Sequence, residues 1–97
     1  MPTYIVLGQF TDQGIRQVKD TMKRAEALRE MGRKAGVTVK EVYWTLGHYD
    51  VVTVVDAPDD LSVTALLLSV GGLGNVRTQC LRAFDGDEMG RIVAKMV

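Results

Sequence analysis

The chain has 97 residues, with twelve basic and twelve acidic side chains, one histidine and one cysteine. This length fits a single domain over residues 1–97, since a chain of this size can bury roughly 65% of its unfolded surface. Hydrophobic residues make up 46% and charged residues 25%, which is typical of soluble globular proteins and excludes disorder and collagen-like repeats. The balanced charge argues against nucleic acid or an anionic membrane as a partner. The single cysteine excludes an intramolecular disulfide and a zinc–thiolate cluster, and we predict no metal and no cofactor.

Neither end of the chain carries a targeting pattern. Residues 1–10 lack the basic start and the small-residue cleavage site of a signal peptide. The longest uncharged apolar stretch, residues 61–76, is interrupted by glycines and falls short of the ~20 apolar residues that a membrane span needs. We therefore expect a cytoplasmic protein without a membrane anchor.

The first third of the chain predicts a strand followed by a helix. Residues 3–10 are rich in β-forming side chains and nearly free of charge. From Ile15 to Ala35 the apolar residues recur in steps of three and four, which predicts one amphipathic helix. Gly36 follows at the position of a left-handed helix C-cap.

The rest of the chain predicts two strands, a helix, a strand and a short terminal helix. These elements span, in order, 37–46, 50–57, 61–70, 75–84 and 87–97. The second and third predicted strands form a hairpin around Gly47 and His48. The order βαββαβ predicts a ferredoxin-like α+β fold with an appended C-terminal helix, in which both main helices cover one face of an antiparallel sheet.

The third predicted strand carries valines on both of its faces. Val51 and Val55 point to one side, and Val52 and Val54 point to the other. An apolar face of this extent is normally covered, and a terminal helix of about ten residues is too short to cover four strands. We therefore predict that two subunits pack sheet to sheet, giving a homodimer or a higher homo-oligomer.

The predicted hairpin turn reads Gly47-His48-Tyr49-Asp50 and runs directly into the valines of the third strand. This turn resembles the Gly-x-Tyr-Asp signature of the GYD-domain family, and the likeness extends from the opening strand to the closing strand. The resemblance implies a dimeric α/β barrel. It implies no particular activity.

A second likeness involves the segment from Gly74 to Thr78. It is similar to the Gly-x-x-x-Thr element in the effector-binding domains of Lrp/AsnC regulators, which bind small metabolites between subunits. Because the first strand begins at Thr3, no helix-turn-helix precedes it, and the likeness implies a stand-alone ligand-binding module. Cofactor-free and haem-dependent monooxygenases share the same barrel, so a small enzyme of that type is the alternative by analogy of fold.

Seven residues are the candidates to line a ligand pocket or its rim, in a small-molecule-binding or scaffolding dimer. They are Tyr4, Trp44, His48, Tyr49, Asp50, Thr78 and Arg82. Trp44 shares its face with Val42, and its indole N–H needs a partner in the protein or a ligand. The GYD turn has an equally good structural explanation, since glycine permits a positive φ and an aspartate accepts hydrogen bonds from turn amides.

If the protein is an enzyme, His48 and Asp50 are the candidate acid–base pair, because histidine titrates near neutral pH. Arg82 would then hold an anionic substrate. An arginine on an apolar sheet face needs a carboxylate, so Arg77 or Arg82 could bind one. The carboxylate could equally belong to a ligand or to the protein, from Glu41, Asp50 or Asp56. Cys80 shares the face of Arg82, which could lower its pKa, although strand cysteines are mostly inert.

Overall fold

The computed structural model describes all residues from 1 to 97. The elements are, in chain order, β1 (Thr3–Phe10), α1 (Asp12–Arg16), a 3₁₀ turn (Val18–Asp20), α2 (Thr21–Lys34), β2 (Thr38–Trp44), β3 (Val51–Asp56), α3 (Asp60–Gly72), β4 (Val76–Ala83) and α4 (Gly86–Ala94).

The four strands form one antiparallel sheet in the order β2-β3-β1-β4. The two central strands are the first and third in the sequence, which is the arrangement of a split βαβ unit. The predicted ferredoxin-like α+β fold is therefore confirmed.

Helices α2 and α3 lie on one face of the sheet, α2 against β2 and α3 against β4. The core between them consists of eight buried apolar side chains: Tyr4, Val6, Val37, Val39, Val55, Ala57, Val63 and Leu66. On each strand these residues alternate with residues of the opposite face, as the pleat requires. The two helices touch one another only over a short stretch, so the layer above the sheet is incompletely closed.

The helix predicted from Ile15 to Ala35 is interrupted. A short α1 and a 3₁₀ turn precede α2, and Gly14 of α1 packs directly on the backbone where β4 begins. A Cβ at Gly14 would lie 1.9 Å from the carbonyl oxygen of Asn75. The guanidinium of Arg24 donates to the carbonyls of Gly14 and Gln17 at the helix break, and the Gln17 carbonyl also accepts the N–H of Asp20 in the 3₁₀ turn. The C-cap was predicted correctly, since Gly36 has φ of +77° directly after the helix.

The second face of the sheet carries no helix. Its centre consists of two rows of mainly apolar side chains, in which Ile5 and Leu7 of β1 lie beside Val54 and Val52 of β3. Leu81 of β4 extends the row that contains Ile5 and Val54, and Leu81 is 41% exposed. The sequence predicted this arrangement of valines and aliphatic residues on both faces. We call these five residues the outer patch.

Helix α4 extends away from the rest of the fold and has no extensive contact with any other helix or strand. Its apolar side chains are largely exposed: Met89, Ile92, Val93 and, just after the helix, Met96. The radius of gyration is 14.5 Å, compared with about 12.5 Å for a compact domain of this length. The chain is therefore more extended than a self-contained domain.

Candidate binding sites

The seven candidate residues lie in three separate places. His48, Tyr49 and Asp50 form the loop between β2 and β3. Trp44 and Thr78 lie in one row across the helix-covered face, at the end of the sheet next to that loop. Tyr4 and Arg82 are register partners at the opposite end of the same face. No single site contains all seven, and their role in ligand binding stays a prediction.

The β2–β3 loop is held by hydrogen bonds within the loop and by hydrogen bonds to β1. Gly47 has φ of +110°, a conformation that favours glycine, as the sequence predicted. The N–H of Thr45 donates to the carbonyl of Asp50 at 2.9 Å, and its hydroxyl donates to the carbonyl of Tyr49 at 2.6 Å. The loop therefore has a fixed shape before any ligand or partner is considered.

Asp50 attaches the loop to the end of β1. Its backbone N–H donates to the carbonyl of Gly8 at 2.8 Å, and its carboxylate accepts the N–H of Phe10 at 2.8 Å. The predicted acceptor role is correct, but the donor belongs to β1 and not to the turn. Strand β3 begins at Val51, one residue after the predicted start at Asp50.

Tyr49 reaches across the outer face of the sheet to β4. Its hydroxyl donates to the side-chain oxygen of Gln79 at 2.7 Å. The ring of His48 meets the ring of Tyr49 edge to face, with centroids 4.9 Å apart. The carboxylate of Asp50 binds the Phe10 N–H and not the imidazole, so no hydrogen bond orients His48 as a base. The GYD motif thus ties β3, β1 and β4 together at one end of the sheet.

Tyr4 and Arg82 belong to a polar cluster at the other end. The Tyr4 hydroxyl donates to Asp60 in the first turn of α3 at 2.5 Å. This hydrogen bond, with burial and the negative charge of Asp60, raises the pKa of Tyr4 to about 12. Arg82 forms an ion pair with Glu88 of α4 at 3.1 Å and stacks over the ring of Phe84 at 4.5 Å.

None of the three carboxylates considered as protein partners, Glu41, Asp50 and Asp56, pairs with Arg82. Asp56 instead accepts the hydroxyl of Thr3 at 2.8 Å and pairs with Lys40 at 3.6 Å. The actual partner, Glu88, comes from the terminal helix, whose position no sequence pattern fixed. The pKa of this glutamate is lowered, first by the N–H of Asp85 and then by Arg82.

Cys80 is an exposed residue of β4 on the helix side of the sheet. Partial burial of the thiol and the nearby charge of Asp60 raise its pKa. The predicted lowering by Arg82 is therefore wrong. A thiol with a raised pKa has little thiolate at neutral pH, which disfavours a nucleophilic role.

A cavity of about 120 Å³ lies between the sheet and helices α2 and α3. Trp44 forms one wall, and its indole N–H donates to the hydroxyl of Thr21 at 2.9 Å. The hydrogen-bond acceptor predicted for the indole N–H is thus Thr21, the first residue of α2. Thr78 lies on the wall opposite, with Gly8 between them in the same row.

Thr53 also lines this cavity, and the sequence analysis missed it. It is the only polar residue of β3 on the core face and is 5% exposed. The available signal was its place in the run from Val51 to Val55, where the alternation of the strand assigns it to the buried side. Periodicity did not indicate that the helices leave a space above it.

No helix of the chain has the length and apolar character needed to cross a membrane. No group of three or more histidine, cysteine, aspartate or glutamate side chains is arranged to hold a metal ion.

The fold and the Gly-x-Tyr-Asp loop together define a ferredoxin-like domain whose signature fastens the β2–β3 connection to the sheet. Residues 4–93 match the model of the GYD domain, and the chain belongs to the GYD-domain family. The predicted family resemblance is thereby confirmed.

Three individual proteins are similar to this chain. A Thermus thermophilus protein named "Glutamine synthetase and cystathionine beta-lyase binding protein" is 40% identical over 84 residues, which are 86% of this chain and 88% of that protein. The crystal structure of TTHA0845, also from Thermus thermophilus, has a TM-score of 0.64 and 27% identity, covering 89% of this chain and 96% of the other. The crystal structure of MtbAldR has a TM-score of 0.68 at 12% identity and shares the fold. This chain aligns over 87% of its own length with 52% of the MtbAldR chain.

Proposed function

We propose that the protein is a homodimeric binding module that docks onto another protein through α4. The observation that carries this proposal is the unpartnered apolar stripe of α4. The relative at 40% identity, named for binding glutamine synthetase and cystathionine β-lyase, supports a protein-binding role. These two enzymes are accordingly the first partners to test.

The outer patch is the proposed dimer interface. Ile5 and Val54 lie at its centre, and polar residues such as Arg77 and Glu41 surround them, which is the usual anatomy of a protein interface. The accessible surface of the chain is 6650 Å², roughly 1,100 Å² more than the about 5,500 Å² of a compact monomer of this size. A standard interface buries about 800 Å² per partner. The excess exceeds the area that one partner buries in such an interface, and part of it belongs to the protruding α4 rather than to the outer patch.

Helix α4 is the proposed docking element for the partner enzyme. Met89, Ile92 and Val93 repeat at helical spacing, so they form one stripe, while Arg91 lies on the opposite side. A helix of nine residues is too short to be stable in water through its own hydrogen bonds. Docking the apolar stripe in a groove of another protein would bury it, which is a common mode of helix recognition.

The structure of the helix start favours α4 as a preformed docking element. Asp85 and Glu88 form a capping box, in which the N–H of Glu88 donates to the carboxylate of Asp85 at 2.8 Å and the N–H of Asp85 donates back to Glu88 at 3.1 Å. The ion pair between Glu88 and Arg82 holds this first turn against β4. The stripe is thus presented at a fixed start point, which lowers the entropy lost on binding.

The test is a binding measurement with purified proteins. The chain is immobilised, and glutamine synthetase or cystathionine β-lyase from the same organism is passed over it. We expect at least one enzyme to bind, and Ile92→Glu to weaken that binding about tenfold or more, as for a central anchor residue. Arg91→Gln, on the opposite side of α4, is the matched control and should bind as the wild type does.

Two results would contradict the proposal. In the first, neither enzyme binds the wild-type chain. In the second, Ile92→Glu binds as tightly as Arg91→Gln, which would place the docking surface elsewhere. Native mass spectrometry of the Ile92→Glu variant shows whether the dimer survives, so that loss of docking is distinguished from loss of dimerisation.

A further inference from the structure

The floor of the cavity above the sheet includes a residue that has no side chain. Gly8 lies at the centre of the row that joins Trp44, Val51 and Thr78. A Cβ at this glycine would lie 3.0 Å from a methyl carbon of Val76, so even one added carbon would crowd the floor. Helices α2 and α3 touch one another only over a short stretch, so they leave space above this row of the sheet.

The walls of the cavity are almost entirely apolar. Helix α2 contributes Leu28 and Met31, and helix α3 contributes Leu66, Leu67 and Val70. No aspartate or glutamate lines the cavity. Its only charged lining residue is an arginine whose guanidinium already donates to the two backbone carbonyls at the helix break. A charged ligand would thus have no counter-charge in the interior, whereas a neutral apolar one would be well surrounded.

Thr53 places one hydroxyl at this apolar floor. The hydroxyl makes no hydrogen bond within the chain, although the residue is only 5% exposed. No fully enclosed side-chain oxygen or nitrogen of the chain lacks a partner, so this hydroxyl must be open to the cavity that Thr53 lines. Because the cavity opens to solvent, a water molecule or a bound ligand can take up the hydrogen bond of this hydroxyl. The hydroxyl is therefore suited to a hydrogen bond with a bound molecule.

We infer that this cavity binds a small neutral molecule, with one aromatic ring or a short alkyl chain and one hydrogen-bonding group that meets Thr53. The size fits this class, because an apolar protein cavity of about 150 Å³ accommodates benzene and this one measures about 120 Å³ and opens to solvent. The site lies on the helix-covered face, away from both the outer patch and α4. It therefore stands independently of the protein-binding function proposed above.

The experiment compares two probes, phenol and toluene, in two proteins, the wild type and Thr53→Val. Within each pair, a hydroxyl group in one member is replaced by a methyl group in the other. Phenol and toluene have the same shape, as do threonine and valine. Dissociation constants are measured by titrating methyl-labelled protein and following the NMR signals of Val55, Leu66 and Val70. Comparing the phenol-to-toluene ratio of these constants between the variant and the wild type cancels the different hydration of the two probes, because that hydration is the same for both proteins. We expect Thr53→Val to raise the ratio of the phenol to the toluene dissociation constant by roughly threefold to tenfold, which corresponds to the loss of one hydrogen bond to phenol.

Two further variants make the result decisive. Thr53→Ser keeps the hydroxyl and should keep the wild-type ratio. Ala25→Leu adds volume to the cavity wall and should weaken the binding of both probes. The inference is overturned if neither probe shifts the cavity methyl signals, if Thr53→Val leaves the ratio unchanged, or if Ala25→Leu binds both probes as the wild type does.

Discussion

The carboxylate of Asp50 accepts the backbone N–H of Phe10 at 2.8 Å, joining the loop between β2 and β3 to the end of β1. The two residues are 40 positions apart in the chain. The contact gives the aspartate of the GYD signature a structural role, because it satisfies an N–H at the point where the β1–β3 ladder ends.

Removing this carboxylate should destabilise the protein. Asp50→Ala leaves the Phe10 N–H without its charged acceptor, and we expect the free energy of unfolding to fall by about 2 kcal/mol. Asp50→Asn retains an acceptor oxygen and should lose less than half as much. Urea denaturation followed by circular dichroism measures both. Equal losses in the two variants would mean that the charge, and not the hydrogen bond, is what matters.

Val54 and Val55 are neighbours on β3 that point to opposite faces. Val55 is 2% exposed and lies in the core, so Val55→Asp buries a charge and should prevent folding. Val54 lies in the outer patch, so Val54→Asp should leave the fold intact and convert a dimer to a monomer. Circular dichroism reports the fold, and analytical ultracentrifugation reports the mass. A wild-type chain that sediments as a monomer would refute the sheet-to-sheet interface outright.

Glycines at two helical positions should respond in opposite directions to alanine. Gly14→Ala places a carbon 1.9 Å from the Asn75 carbonyl oxygen. We expect the free energy of unfolding to fall by about 2 kcal/mol or more, because α1 must move away from the start of β4. Gly71 of α3 has open space around its Cβ position, so Gly71→Ala should gain about 0.5 to 1 kcal/mol from helix propensity. Thermal unfolding of the two variants provides the comparison. Similar melting temperatures for both would contradict the close contact at Gly14.

Because of the hydrogen bond from Tyr4 to Asp60, the free energy of unfolding should decrease at alkaline pH. The pKa of Tyr4 is raised from 10.0 to about 12, so the folded state favours the neutral phenol. Its contribution is fully present below pH 10.0 and is lost as the pH rises through about 12. Tyr4→Phe lacks this contribution at every pH, so the difference in unfolding free energy between wild type and variant should shrink over that interval. A constant difference would show that the phenol ionises equally in both states.

Glu88 gives α4 the opposite pH response. Its pKa is lowered from 4.5, chiefly by the Asp85 N–H, so its stabilising contribution is present above that value and is lost on acidification. The amide signals of α4 should therefore lose their helical shifts as the pH falls below 4.5 and Glu88 becomes protonated. In Glu88→Gln, which keeps an acceptor without an ionising group, the signals should change less. Identical titrations of the two proteins would rule out this glutamate as the cause.

The order of the elements could be predicted because each has a local signature. The alternation on β1 and β3 and the helical spacing of α2 depend only on residues close in the chain, and Gly36 needs only its own φ to end a helix. The family likeness rested on the loop from Gly47 to Asp50, which is local as well. Such features survive folding because tertiary contacts act in the same direction.

The parts that could not be predicted depend on distant residues. Gly14, just before the helix break at Gln17, packs on Asn75, and the partner of Arg82 comes from α4, whose direction no periodicity describes. Likewise, alternation assigned the residues of β3 to faces but could not show that the helices leave a cavity at Thr53. Sequence therefore indicates which side of a strand a residue occupies, while the distance to the opposite layer requires the structure.

The extended placement of α4 has a consequence for the strength of binding. The helix of nine residues reaches about 13.5 Å along its axis, and a dimer would display two such helices on one rigid body. On a partner that repeats the same groove, the second helix would meet its site at an effective concentration in the millimolar range. Weak individual contacts would then add up to avidity, and a monomeric Val54→Asp variant would lose that advantage while keeping each single contact unchanged.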